Sequence, residues 1–296
     1  MKKIVIIGNG QIGHAILHLL KGIDHNILVW DKDHAKNLSD KRLDEILPDT
    51  DFLFLCIPSW FMEEALSEIS LAVEPKTILI SLSKGINVIS HWSMDELIEG
   101  ELPDNRFALL SGPMLAAEIM NGQGSSAIVA TKKKETYEGI AELFAGSKIK
   151  LEYSNEVHSV AISAALKNIY TLLIGMLDGL GEGDNTRGYF FTKAVNEILE
   201  IMKILKLDEK TALGVSGLGD FIATASSKHS QNRRAGEEIA KNSIASKRSE
   251  GLVSLPSILK FIGAKKKNLP LISMLERIII ENRSAKTEVE KILKTE

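Results

Sequence analysis

The chain has 296 residues, 44% hydrophobic and 25% charged, with a net charge of −3 at pH 7. That length supports a sizeable core or two domains, and the composition is ordinary for a soluble globular protein. The charge balance gives no reason to expect nucleic acid or acidic membrane as a partner, and the short basic runs at Lys132–Lys134 and Lys265–Lys267 read as solvated turns or helix ends.

The single cysteine, Cys56, rules out a disulfide framework within the chain. It sits in the apolar run FLFLCIP and reads as a small buried hydrophobe in a reducing compartment. No apolar run is expected to reach the roughly 18 residues of a membrane helix. The start MKKIVIIGNG is basic, but its glycines interrupt any signal-peptide core. A cytoplasmic protein without membrane insertion is expected.

In chain order, KKIVII (2–7) is a first strand, followed by GNGQIG and a helical pattern in QIGHAILHLLKG. NILVWD (26–31), DFLFLCIP (51–58), TILISLS (77–83), RFALLSG (106–112) and SSAIVAT (125–131) read as further strands. Helical patterns such as WFMEEALSEIS and ETYEGIAELFAG separate them. Alternating strands and helices imply parallel pairing through right-handed crossovers, hence an α/β doubly wound sheet. After KIKLEYSN (148–155) strand-like runs cease, and helices are expected near 156–179, 187–206, 232–241, 254–263 and 271–282. The expected organisation is a Rossmann-type domain at 1–154 and an all-helical domain at 155–296.

Gly8, Gly10 and Gly13 form G-x-G-x-x-G between the first strand and the first helix. The spacing alone is weak, but this context is what a dinucleotide-binding turn requires. Gly8 permits the tight turn, Gly10 the approach of a pyrophosphate, and Gly13 close helix–strand packing. Gln11 and Ile12, between the last two glycines, are taken as cofactor contacts as well. Free N–H groups and the dipole at the helix start favour the anion. Asp31, 18 positions after Gly13, suits the adenine ribose hydroxyls and would repel the 2′-phosphate of NADP, so NAD is the preferred cofactor and NADP the second. Lys32 beside it could offset that repulsion, and Asp31 can also be read as an ordinary turn residue at a strand end.

A lysine inside the apolar helix ISAALKNIY is the second signal, because lysine is rarely buried without a partner. Reduction of a ketone needs a proton donor, and burial or a nearby cation brings a lysine toward neutrality. Lys167, on a face with Ser163, Ala164 and Thr171, suits that role; the alternative is a lysine that snorkels to solvent. Lys84 in SLSKGI follows a strand at the edge where open α/β sheets bind ligands. Asp220 in SGLGDFIAT can pair with a lysine. Asn232 and Arg233 in SQNRRAGEEIA stand at a helix start that suits a phosphate. Each has a bland reading as turn, cap or solvated helix end; together they describe a pocket for a small phosphorylated ketone.

With these motifs the chain resembles the NAD(P)-dependent glycerol-3-phosphate dehydrogenase family over nearly its whole length. GNGQIGHAI, SLSKGI, SGPMLAAE, AALKN, DGLGEGDNTR, GLGDFIAT, SQNRRAGE and SEG occur in the family's order and at similar spacing. The resemblance implies reduction of dihydroxyacetone phosphate to sn-glycerol 3-phosphate for phospholipid synthesis. It makes Lys167 the proton-transfer residue, with Lys84 and Asp220 beside it and Asn168 and Thr224 at the substrate. It assigns Ser230, Gln231, Asn232 and Arg233 to the segment that binds substrate phosphate and cofactor, Lys84 and Glu250 to the cofactor, and no metal.

Three sites depart from the family. Gln231 replaces an arginine that helps bind phosphate, Met114 replaces a small hydroxyl residue, and Ser163-Ala164 replaces Gly-Gly. They put substrate affinity and identity in question, so two alternatives stay open: a related dehydrogenase of the same plan acting on another small acid or phosphate, or a non-catalytic NAD-binding sensor. Amphipathic segments near the C-terminus suit either internal packing or a homodimer.

Overall fold

The structure, a computed structural model, describes residues 1–22, 24–38, 41–242 and 244–294. Seven strands form one sheet: β1 (Lys3–Ile7), β2 (Asn26–Trp30), β3 (Phe52–Leu55), β4 (Ile78–Ser81), β5 (Phe107–Ser111), β6 (Ser125–Ala130) and β7 (Ile149–Ser154), in the order β2-β1-β3-β4-β5-β6-β7. Around it lie α1 (Gln11–Leu20), α2 (Leu43–Ile46), α3 (Met62–Ile69), α4 (Met94–Glu101), α5 (Ala116–Met120) and α6 (Lys134–Leu143). The central strands are apolar on both sides because both faces are covered. Ile4, Ile6, Phe52, Phe54 and Ile80 pack under α1 and α6. Val5, Ile7, Leu53, Leu55 and Leu79 pack under α2, α3 and α4. This bears out the doubly wound sheet.

One pairing departs from expectation. β1 to β5 are parallel, but β6 runs antiparallel to β5. The linking helix α5 has only 5 residues and packs against α1. It stays at the edge where β5 ends instead of recrossing the sheet face, so the next strand starts from that edge and runs back.

The rest of the chain is helical: α7 (Val157–Leu180), α8 (Asp184–Ile204), α9 (Glu209–Leu213), α10 (Asp220–Ser226), α11 (Gln231–Asn242), α12 (Glu250–Ile262), α13 (Pro270–Ile279) and α14 (Ala285–Lys294), with a π-helical turn at Val215–Gly219 just before α10. Helix α7 is the axis of this half. It is long and apolar enough to cross a membrane, which corrects the expectation that no such run exists, yet that stretch is wholly buried within the protein. Its first residues, Val157, Val160 and Ala161, belong to the sheet's core, and the remainder to the helical core. One helix therefore ties the two halves together. Helix α11 lies almost in backbone contact with α7: a Cβ at Gly175 would fall 2.0 Å from the Arg233 carbonyl oxygen, and one at Gly236 2.0 Å from that of Leu172. The apolar faces of α13 and α14 pack inward, through Leu271, Ile272, Leu275 and Val289.

Candidate active site

The sheet order reverses at β1, so the loops after β1 and β3 splay apart at their C-terminal ends and open a crevice there. Gly8 turns the chain with φ +98°, and a Cβ on it would lie 2.5 Å from the Cys56 carbonyl oxygen. A Cβ at Gly13 would lie 1.9 Å from the Gly8 carbonyl oxygen. At Gly10, which caps α1 without a side chain, the space in front is open. The loop is thus closed tightly behind and left clear in front, with the first N–H groups of α1 unpaired within the helix. That shape fits a dinucleotide pyrophosphate. Gln11 and Ile12 line the same cleft, of about 470 Å³.

Asp31 directly follows β2, outside the cleft lining. Its carboxylate accepts the Asn9 N–H at 2.7 Å and the Asp33 N–H at 2.9 Å, which fixes it beside the glycine loop. Lys32 turns away to Glu64, at 2.5 Å, and so does not neutralise Asp31.

Across the cleft, Lys167 is 3% and Asp220 2% exposed. The snorkelling alternative is therefore excluded. The Asp220 Oδ2 atom accepts from Lys84 at 2.7 Å and faces Lys167 Nζ at 3.0 Å. Lys167 also donates to Thr224 Oγ1 at 3.0 Å, and that hydroxyl donates to Asp220 Oδ1 at 3.1 Å. Lys84 further donates to the Gly112 carbonyl oxygen at 2.8 Å. Burial lowers the Lys167 pKa to about 8; Lys84 pushes in the same direction and Asp220 opposes. For Asp220 burial works upward, but the two ammonium groups outweigh it and hold its carboxyl below the usual range. The π-helical turn delivers Asp220, the first residue of α10, to this point; such turns recur at functional sites.

A chain of amides runs along one wall. Asn168 Nδ2 donates to the Lys84 carbonyl oxygen at 2.8 Å, and Asn232 Nδ2 donates to Asn168 Oδ1 at 2.8 Å. The Gly251 N–H completes it on Asn232 Oδ1 at 2.9 Å. The starts of α11 and α12 are thereby pinned to the lysine helix. Ser230 and Gln231 line the cleft beside Asn232. Glu250, half-buried, accepts the Ser59 N–H at 2.9 Å and its hydroxyl at 2.5 Å, and burial raises its pKa.

Of the residues expected at the site, Arg233 does not reach it. Its Nε is 2.6 Å from Asp178 and 3.5 Å from Glu237, and it is absent from the cleft lining. The close approach of α11 to α7 fixes the rotation of α11 and points this side chain at the end of α7. Sequence reasoning missed Trp60 and Arg248, which line the cleft, and Ser59, which holds the Glu250 carboxylate. Ser59 follows β3 at the ligand-binding edge, a position that could have flagged it. Met114 lines the cleft as an apolar wall. Among the described residues there is no cluster of metal-ligating side chains.

A glycine turn shaped for a dinucleotide faces a buried ammonium of lowered pKa, and this defines the class: a two-domain dehydrogenase working with a nicotinamide cofactor. Family comparison makes the assignment particular. The model described as the NAD-dependent glycerol-3-phosphate dehydrogenase N-terminus matches residues 38–137, and its C-terminus counterpart matches 156–290; the chain belongs to that family. A glycerol-3-phosphate dehydrogenase (NAD(P)+) of Fusobacterium nucleatum is 29% identical, with 99% of this chain and 97% of the relative covered. One from Clostridium perfringens is 27% identical over the same shares. Among solved structures, glycerol-3-phosphate dehydrogenase of Coxiella burnetii superposes with a TM-score of 0.89 at 21% identity, covering 99% of each chain. That of Plasmodium falciparum gives 0.87 at 22%, covering 100% of this chain and 96% of the other.

Proposed function

We propose that the protein interconverts dihydroxyacetone phosphate and sn-glycerol 3-phosphate with NAD(H), in the cytoplasm, the product entering glycerophospholipid synthesis. The observation that carries this reading is the Lys167–Asp220–Lys84 cluster, buried at the floor of a cleft whose opposite wall is the glycine loop. The curated relatives' names support the substrate. The intact cluster argues against a non-catalytic sensor, since a buried ammonium held at lowered pKa has a cost that binding alone does not require. We divide the chain at 154/155, where β7 ends, into a dinucleotide-binding and a helical substrate domain.

Bound NADH supplies the hydride for C2 of the ketone, and NAD+ accepts it in the reverse direction. Lys167 donates its proton to the carbonyl oxygen as that oxygen gains the electron pair, and returns to the ammonium form between turnovers. Its pKa of about 8 leaves it mostly charged at pH 7 yet ready to give up the proton. Asp220 and Thr224 hold the ammonium in place. Lys84, the second cation, lowers the cost of deprotonating Lys167 and stabilises negative charge on the oxygen. Asn168 and Asn232 frame the substrate, and Ser230, Gln231 and the free N–H groups opening α11 receive its phosphate. Gly8, Gly10, Gln11, Ile12 and Gly13 would hold the cofactor's pyrophosphate, Asp31 its adenine ribose, and Glu250 would be a further cofactor contact.

Turnover of dihydroxyacetone phosphate with NADH tests the reading directly. Reduction is expected. Reduction confined to other ketones, or NADH binding without turnover of any, would overturn it.

A further inference from the structure

A phosphate dianion needs a cation, and most cations near the cleft are already engaged. Lys84 and Lys167 share Asp220. Arg233 is held by Asp178 and Glu237, and Gln231 offers an uncharged amide where α11 begins. Arg248 differs. It lines the cleft with Ser230, Gln231 and Asn232, is exposed, and makes no ion pair or hydrogen bond among the described residues. It does not turn to Glu250, two residues on, whose carboxylate is taken by Ser59.

Its place in the chain is nonetheless fixed. Ser249, next to it, is buried at the position that opens α12. Gly251 donates to Asn232 Oδ1 at 2.9 Å, so the α12 start is fastened to the α11 start. Arg248 is therefore a free guanidinium on an anchored backbone, beside the helix N-terminus that presents unpaired N–H groups. A guanidinium makes charge-assisted, often bidentate bonds to phosphate, which an amide cannot replace.

Resting on the substrate reading above, we infer that Arg248 is the side-chain cation for the substrate's phosphate, supplying from the α12 side the charge that Gln231 lacks on the α11 side. Both positions line the same cleft, so moving the arginine from one to the other should preserve phosphate recognition.

The test is steady-state kinetics of Arg248→Gln, Arg248→Lys and the double variant Gln231→Arg/Arg248→Gln at matched salt. Substrates are dihydroxyacetone phosphate and the phosphate-free ketone dihydroxyacetone, with NADH varied separately. Arg248→Gln should raise KM for the phosphate ester by about 10- to 150-fold, the worth of a charged hydrogen bond. The change on dihydroxyacetone should be far smaller. Arg248→Lys should recover part of the loss, and the double variant most of it. An equal loss on both ketones, a loss confined to the KM for NADH, or an unchanged KM for the ester would each overturn the inference. Calorimetric titration of sn-glycerol 3-phosphate in the presence of NADH, which cannot accept its hydride, reads the same contact without turnover. Weaker binding by Arg248→Gln supports the role of Arg248 even if the wild type fails to reduce dihydroxyacetone phosphate, a failure that would count against the proposed reaction alone. Equal binding by both proteins overturns the role of Arg248.

Discussion

Lys84 and Lys167 converge on a single oxygen of Asp220, at 2.7 and 3.0 Å. They come from opposite sides of the cleft, one from the loop after β4 and one from the axis of the helical half. Two ammonium groups on one carboxylate leave that trio with a net positive charge in a buried place, and the Glu250 carboxyl acts on Lys167 only as a minor opposing influence. That excess favours a developing oxyanion and eases loss of a proton from the more buried lysine.

This arrangement has a pH signature. Reduction uses protonated Lys167, so its kcat should be flat below about pH 8 and fall as pH rises through that value. Oxidation of sn-glycerol 3-phosphate uses the neutral amine and should rise over the same interval. Lys84→Met removes a like charge, so the Lys167 pKa should rise and both limbs should move to higher pH. Rate profiles in both directions would show it; limbs that stay in place would mean that Lys84 does not act on Lys167.

Asp31 bears on cofactor choice. With its carboxylate fixed by the Asn9 and Asp33 N–H groups, Lys32 paired to Glu64 and Lys36 paired to Asp33, a 2′-phosphate there meets a carboxylate that neither lysine contacts directly. NADH should exceed NADPH in kcat/KM, and Asp31→Ser should shrink that ratio, mainly by lowering KM for NADPH. Equal use of both cofactors by the wild type would contradict this account of Asp31.

Glu197 holds the helical half together. Its buried carboxylate accepts the Leu271 and Ile272 N–H groups at 2.6 and 2.9 Å and the Tyr170 hydroxyl at 2.8 Å. It thus caps α13 from α8, since α13 has no side-chain cap of its own. Glu197→Ala strands three buried donors, each costing about 1–3 kcal/mol. A loss of at least about 2 kcal/mol is expected in denaturant unfolding monitored with the midpoint and slope together, and a loss under 0.5 would remove Glu197 from the frame.

How much of this could be read beforehand follows from how local each signal is. The strands were legible because each is a short apolar run, and the glycine loop because its spacing serves a turn that the same residues complete. The antiparallel turn of β6 was not, since it depends on where α5 packs rather than on its sequence. The Val215–Gly219 turn is glycine-rich and reads as a loop; only its packing against α7 and α9 makes it helical. Lys167, Lys84 and Asp220 were named from separate motifs, but their shared oxygen joins residues 136 and 53 positions apart, as the numbering of Lys84, Lys167 and Asp220 gives. Arg233 misled because adjacent arginines on a helix differ only by rotation, and the glycine contacts of α7 with α11 set that rotation. The Ser59–Glu250 pair spans 191 positions and has no local mark.

The most direct measurement is kcat for dihydroxyacetone phosphate reduction by Lys167→Ala at pH 7, alongside the Kd for NADH. If Lys167 transfers the proton, kcat falls by about 10²–10⁴-fold, the usual contribution of a positioned acid or base, while NADH binding changes little because the glycine loop lies across the cleft. A variant that keeps near wild-type kcat would contradict the account.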